Sequence, residues 1–245
     1  MQITTRQGPA YGVARLTLAA AEQVRVESGA MMAMSGGVLL EAKAEGGVLK
    51  SLKRAALGGE SFFVTTYTAP AQGGWVDVAA RLPGDVFSMD VTAQVGLNIQ
   101  KGSWLASEPT VQLDTKWGGW RNLVGSEGGF LVHAGGQGKV VVSCYGALER
   151  WQLGAGESIT VDTGHMVAYE DTVAMGLRKV TGGLVQSFKS GEGIVFDFTG
   201  PGTVYTQTRN PNELLSWIGS SIGTGNSSGG AVLGGGLLGG LMSRD

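Results

Sequence analysis

Apolar residues along this chain fall in short runs, most of them alternating with polar ones. Val24 and Val26 flank Arg25, and Ile159 and Val161 flank Thr160, so each stretch presents one buried strand face. Similar short runs rich in Val, Phe and Thr lie at 62–66, 75–79, 139–143, 194–198 and 204–208. Gly-Gly pairs separate many of them (Gly36-Gly37, Gly46-Gly47, Gly73-Gly74, Gly128-Gly129, Gly182-Gly183), as expected of tight turns. Residues 1–209 therefore read as nearly all β. Two stretches have helical spacing. In 47–56, Val48, Leu49, Leu52 and Ala56 lie close to one face. In 210–218, Asn210 suits a cap, Pro211 the first helical position, and Leu214, Leu215 and Ile218 share a face. Residues 219–230 form a Gly/Ser linker, and 231–242 are rich in Gly and Leu, which predicts a flexible linker ahead of an apolar tail.

The pattern repeats. Residues 18–34 (LAAAEQVRVESGAMMAM) align without a gap on 153–169 (LGAGESITVDTGHMVAY). Leu18 matches Leu153, Glu22 matches Glu157, Gly29 matches Gly164 and Ala33 matches Ala168. A third copy at 97–107 brings Gly102, Leu105 and Ala106 into the same register. Each copy is followed by a second motif, at 59–64, 126–131 and 191–196. The chain thus reads as three tandem β-units, with approximate bounds 1–75, 76–145 and 146–209 and a short helix at 210–218. Such a unit cannot bury its sheet alone and presents equivalent faces to its neighbours.

Composition narrows the classes of function. The chain has 245 residues, 43 of them glycine, with 18 Lys and Arg against 20 Asp and Glu. That near-neutral balance argues against a broad basic surface for nucleic acid, and the apolar tail, which lacks a basic face, suits at most peripheral membrane contact. One cysteine excludes an internal disulfide framework and a Cys-rich zinc site. No basic-then-apolar leader and no uninterrupted apolar run of about 18 residues is visible. No cofactor is implied.

Candidate chemistry is sparse. His133 and His165 fall in different repeats, and His165 stands where the other copies carry Ala30 and Ser103, which marks a turn position and not a ligand. Glu22, Glu157, Glu27, Asp162, Glu60, Glu127 and Glu192 occupy repeat-equivalent places. A ring of carboxylates around a cation is one reading. Carboxylates capping their own turns is the stronger one, so Glu27, Gly29, Gly102, Asp162, Gly164 and Glu192 are taken as structural turn residues. Two G-x-S-x-G matches, at 219–223 and 225–229, lie in the linker, outside the strand-to-helix setting that a nucleophile elbow requires. The one aromatic-basic group is Trp117, Trp120 and Arg121; it suits a partner, a base or a lipid head group if exposed, or a plug at the end of a sandwich if buried. Leu237, Leu238 and Leu241 in the tail suit docking to a partner. Cys144 reads as a small buried hydrophobe.

Six stretches together carry a family resemblance: VESGAMMAM (26–34), LPGDV (82–86), GSWLAS (102–107), VDTGHMVAYE (161–170), SGEGIVFDFTGPG (190–202) and VYTQTR (204–209). The chain resembles the AIM24 family over residues 1–210. That resemblance implies a β-sandwich built from three copies of a unit similar to the tryptophan-RNA-binding attenuator protein. It also implies compact cytosolic bacterial members, a mitochondrial relative associated with inner-membrane organisation and respiratory-chain assembly, and no established catalytic activity or ligand. The expectation is an all-β, non-enzymatic scaffold or protein-interaction protein of the cytoplasm, with an unknown protein partner and with homotrimer formation open to it. The alternative is a small-ligand or nucleic-acid binding module that uses the aromatic-basic loop.

Overall fold

A computed structural model describes residues 1–44, 63–100, 102–116, 131–179 and 194–223. The helical candidate at 47–56, the Trp117–Arg121 group, Glu60, Glu127, Glu192 and the tail leucines all lie outside the described residues.

The described chain is almost entirely strand. In order these are β1 (Gln2–Arg6), β2 (Val13–Leu18), β3 (Gln23–Glu27), β4 (Met31–Met34), β5 (Leu39–Ala44), β6 (Phe63–Thr68) and β7 (Gly74–Ala79). Next come β8 (Val86–Val91), β9 (Leu97–Gln100), β10 (Trp104–Ser107), β11 (Val111–Lys116), β12 (Leu131–Gly136) and β13 (Gly138–Ser143). The last set is β14 (Leu148–Leu153), β15 (Ser158–Asp162), β16 (Met166–Glu170), β17 (Ala174–Lys179), β18 (Ile194–Thr199) and β19 (Gly202–Gln207).

All named pairings are antiparallel, and one scheme recurs. β2 pairs β7, β7 pairs β4, β3 pairs β6, and β6 pairs β5. The corresponding contacts β8–β13–β10 and β9–β12–β11 follow, then β14–β19–β16 and β15–β18–β17. Register slips in the same place each time, between Met31 and Ala33, between Trp104 and Ala106, and between Met166 and Ala168. A bulge recurring at equivalent positions is a built feature of the sheet.

Each six-strand set contributes three strands to one sheet and three to the next. The four sheets run β1-β2-β7-β4, then β5-β6-β3-β10-β13-β8, then β11-β12-β9-β16-β19-β14, then β15-β18-β17. Three cores lie between successive sheets. The first joins Leu16, Val76 and Val78 to Val24, Val26 and Val141; the second joins Trp104, Val140 and Val142 to Ile99, Val111 and Val167. The third joins Met166, Tyr169 and Val204 to Val161, Phe196 and Phe198. The six-stranded sheets are therefore covered on both faces. Val140 and Val142 enter one core and Val141 the other, which explains a continuous valine run where a half-wet strand would alternate.

The helix α1 runs Pro211–Gly223, past the Ile218 expected from spacing alone. Ser220 and Ser221, read from sequence as linker, donate their hydroxyls to the Trp217 carbonyl at 2.8 and 2.9 Å. Within α1, Leu215, Trp217 and Ile222 are exposed. The first G-x-S-x-G match thus sits inside a helix. No helix among the described residues is long and apolar enough to cross a membrane.

Candidate functional site

Among the described residues, the repeated turns account for three of the repeated acids, Glu22, Glu157 and Asp162. Glu22 Oε2 accepts the Ala19 N–H at 2.8 Å, and Glu157 Oε2 accepts the Gly154 N–H at 2.9 Å. Asp162 Oδ1 accepts the Gly164 N–H at 2.9 Å, closing a 3-10 turn over Thr163–His165. Glu27 faces Arg81 at 4.0 Å. Gly29 and Gly102 each have φ of +88° with nothing near the absent Cβ, so backbone conformation selects glycine there. Gly164 is glycine for a different reason: a Cβ would stand 2.3 Å from the Asn210 side chain.

A second set of side chains was not recognised from sequence. Ser35, Glu108 and Glu170 each stand six residues after the repeat glycine, and each accepts a backbone N–H from the opposing strand. Ser35 Oγ takes that of Trp75, Glu108 Oε2 that of Lys139 and Glu170 Oε2 that of Thr203, all at 2.9 Å. The constant spacing was the available signal; the change from serine to glutamate concealed it.

Histidines serve the frame as well. His165 Nδ1 lies 2.7 Å from the Gln207 carbonyl, and the Gln207 amide donates to the Gly164 carbonyl at 2.9 Å. His133 Nε2 lies 3.0 Å from Asp171 Oδ2, whose other oxygen accepts from Asn98 Nδ2 at 2.9 Å. Burial pushes the Cys144 thiol up to about 11, which favours the protonated thiol over the thiolate at neutral pH. Among the described residues no three His, Cys, Asp or Glu side chains gather to hold a metal ion.

The chain's successive sets meet at two joints. In the first, β3 pairs β10 with Val26 opposite Ala106 and Arg25 opposite Ser107. Arg25 Nη2 then donates across the joint to the Pro109 carbonyl at 3.1 Å. In the second, β9 pairs β16 with Ile99 opposite Ala168, Asn98 opposite Tyr169 and Leu97 opposite Glu170; the Asn98–Asp171 bond crosses it. Two strands hold the same places without such a partner among the described residues. β4, equivalent to β10 and β16, is an edge of the first sheet, and β15, equivalent to β3 and β9, is an edge of the fourth.

The β4 edge carries apolar side chains into solvent. Met32 is 52% exposed, whereas its equivalents Leu105 and Val167 are 1% and 0% exposed. Met34 is 37% exposed, against 0% for Ser107 and 6% for Tyr169. On β15, Thr160 is exposed and donates to Asp197 Oδ1 at 2.6 Å. Arg178 also holds that carboxylate, and the Arg178 guanidinium keeps the Asp197 pKa below its ordinary range. An exposed sheet edge of this kind offers unpaired N–H and C=O groups for strand addition, and it provides no nucleophile or general base.

Comparison with known proteins agrees with this architecture. The family model described as mitochondrial biogenesis AIM24 matches residues 4–209, and the chain belongs to that family. An uncharacterised protein of Streptococcus pyogenes serotype M6, M6_Spy0233, is 23% identical over 226 residues, which span 89% of this chain and 90% of the relative. The crystal structure of SPYM3_0169 from Streptococcus pyogenes has a TM-score of 0.75 at 22% identity, covering 90% of this chain and 99% of that one. At that identity the likeness concerns the fold.

Proposed function

We propose that this AIM24-family chain is a non-enzymatic scaffold that binds protein by strand addition, working in the cytoplasm. In this reading residues 1–209 comprise three attenuator-protein-like units, bounded near 75 and 145. The observation that carries it is the β4 edge, where Met32 and Met34 are 52% and 37% exposed on a strand whose counterparts are interior. An apolar edge strand left open is an aggregation hazard, and proteins ordinarily blunt such edges with charge, proline or a cover. An edge left apolar here fits a place for a partner's strand.

The test is affinity capture with the full chain and with Met34→Lys. A lysine on the edge keeps the fold and repels an incoming strand. Partners lost from the variant support strand addition at β4, and an unchanged set of partners refutes it.

A further inference from the structure

Four large apolar side chains stand exposed on the one helix α1: Leu215, Trp217, Ile218 and Ile222, at 65%, 67%, 36% and 74% exposure. We propose that α1 lies flat on a membrane, with its apolar side in the interface of a neutral phospholipid bilayer. This surface is separate from the β4 edge, and the proposal does not depend on that reading.

The helix has two sides. At roughly 100° per residue, Leu214, Leu215, Ile218 and Ile222 fall within about one third of its circumference. Asn212, Glu213, Ser216 and Ser220 take the opposite side. Trp217 stands at the margin between them, where an indole suits the headgroup level, its ring apolar and its N–H in water. Ser221 borders the apolar side, and its hydroxyl donates to the Trp217 carbonyl at 2.9 Å, so it stays bonded when water leaves. α1 is too short to cross a bilayer, which makes the contact peripheral.

Charge and width distinguish a bilayer from a protein groove as the occupant. Glu213 is the one charged residue of α1, and the chain carries no further Asp, Glu, Lys or Arg until Arg244. Protein partners take register and selectivity from charged groups around the contact, and beyond its first turn this helix supplies none. A neutral bilayer requires none. A groove would engage the narrow stripe of Leu215, Ile218 and Ile222 and leave Trp217 outside, whereas an interface takes in the whole side with the indole at its margin. With no basic residue on the polar side, attachment draws on buried apolar area and not on anionic headgroups. In the sequence, Leu233, Leu237, Leu238 and Leu241 continue the same uncharged apolar chemistry past α1. The match to the family model ends at residue 209, so the contact belongs to a segment outside the shared sheets.

The test floats the full chain through a density gradient with vesicles of phosphatidylcholine alone. The natural chain is expected to rise with the vesicles, equally at about 50 mM and about 500 mM salt, because no headgroup charge takes part. Ile218→Asp combined with Ile222→Asp is expected to reduce flotation at least about tenfold while the thermal melt of the sheets is kept, since both side chains are exposed. Brominated acyl chains supply a second readout: they are expected to quench tryptophan emission of the natural chain, and Trp217→Phe to lose most of that quenching. A natural chain that stays off neutral vesicles overturns the proposal. So does undiminished flotation of the double aspartate variant, which would place the contact outside α1, and so does flotation that needs anionic lipid and fades at high salt. A chain that ignores vesicles but captures a protein lost in the aspartate variant assigns α1 to a protein groove instead.

Discussion

Arg15 stands directly opposite Asp77 on neighbouring strands and grips it in a fork, with Nε 2.8 Å from Oδ1 and Nη2 2.8 Å from Oδ2. Arg6 adds contacts at 3.2 and 2.6 Å, and the Trp75 ring lies 3.9 Å from the Arg15 guanidinium carbon. The carboxylate is buried, 2% exposed, while its two arginines reach solvent. This cluster ties β1, β2 and β7 together across the first sheet.

The Arg15 guanidinium, aided by Arg6, holds the Asp77 pKa down to about 2 from an ordinary 3.8. A depressed carboxylate pKa stabilises the fold above the unfolded value and loses that stabilisation as pH falls through the folded one. Natural chain is expected to lose about 1–2 kcal/mol from this group between pH 5 and pH 2, solvent screening of the arginines included. Urea denaturation checks it. Asp77→Asn starts lower at pH 7 and shows a flatter profile over that window; equal profiles would dismiss the ion cluster as a source of acid sensitivity.

Gly84 lies against Gly146, and a Cβ on it would stand 1.8 Å from the Cys144 carbonyl oxygen. Backbone cannot yield as a side-chain tip does, so Gly84→Ala is expected to cost about 3 kcal/mol. That corresponds to a fall of about 6–12 °C in Tm. Gly36 has open space around the same point, and Gly36→Ala is expected to shift Tm by about 2 °C at most. Parallel thermal melts of the two variants decide the comparison.

The carboxylate of Glu170 meets the Thr203 N–H at 2.9 Å, and Glu108 meets that of Lys139 at the same distance. Truncation to alanine leaves each N–H without its acceptor, at about 1–3 kcal/mol. Glutamine keeps an acceptor oxygen and is expected to restore most of the loss. Hydrogen exchange supplies the local readout: the Thr203 amide exchanges faster in Glu170→Ala and regains protection in Glu170→Gln.

Cys144 is 3% exposed, and its raised pKa leaves almost no thiolate at pH 8. A thiol reagent is expected to label the folded chain at least about a hundredfold more slowly than the urea-unfolded chain. Comparable rates would mean that the core around Trp104 and Val142 opens readily.

Local features were readable in advance where one residue type had one physical reason. The alternation around Arg25 and Thr160 marked β3 and β15, and Gly29 and Gly102 marked turns needing positive φ. Glu22 and Glu157 were legible because the same acid sits three residues beyond the N–H that it accepts. Sheet membership was not legible. Nothing near Val26 in the sequence says that its partner is Ala106, because strand choice is made by faces that close only after the cores assemble. The site suffered from the same gap. Met32 and Met34 read as ordinary strand residues, and only comparison with their buried counterparts Leu105, Val167 and Tyr169 sets their exposure apart. The end of α1 was hidden too, since Ser220 and Ser221 favour linkers by composition and here satisfy a helical carbonyl.

The two six-stranded sheets have a mechanical corollary. Half of each is woven by one stretch of polypeptide and half by the next, so no hinge separates the stretches and none can be peeled away without tearing a ladder lengthwise. A protease nick between β7 and β8 would sever the backbone and leave the halves clasped through β3 and β10.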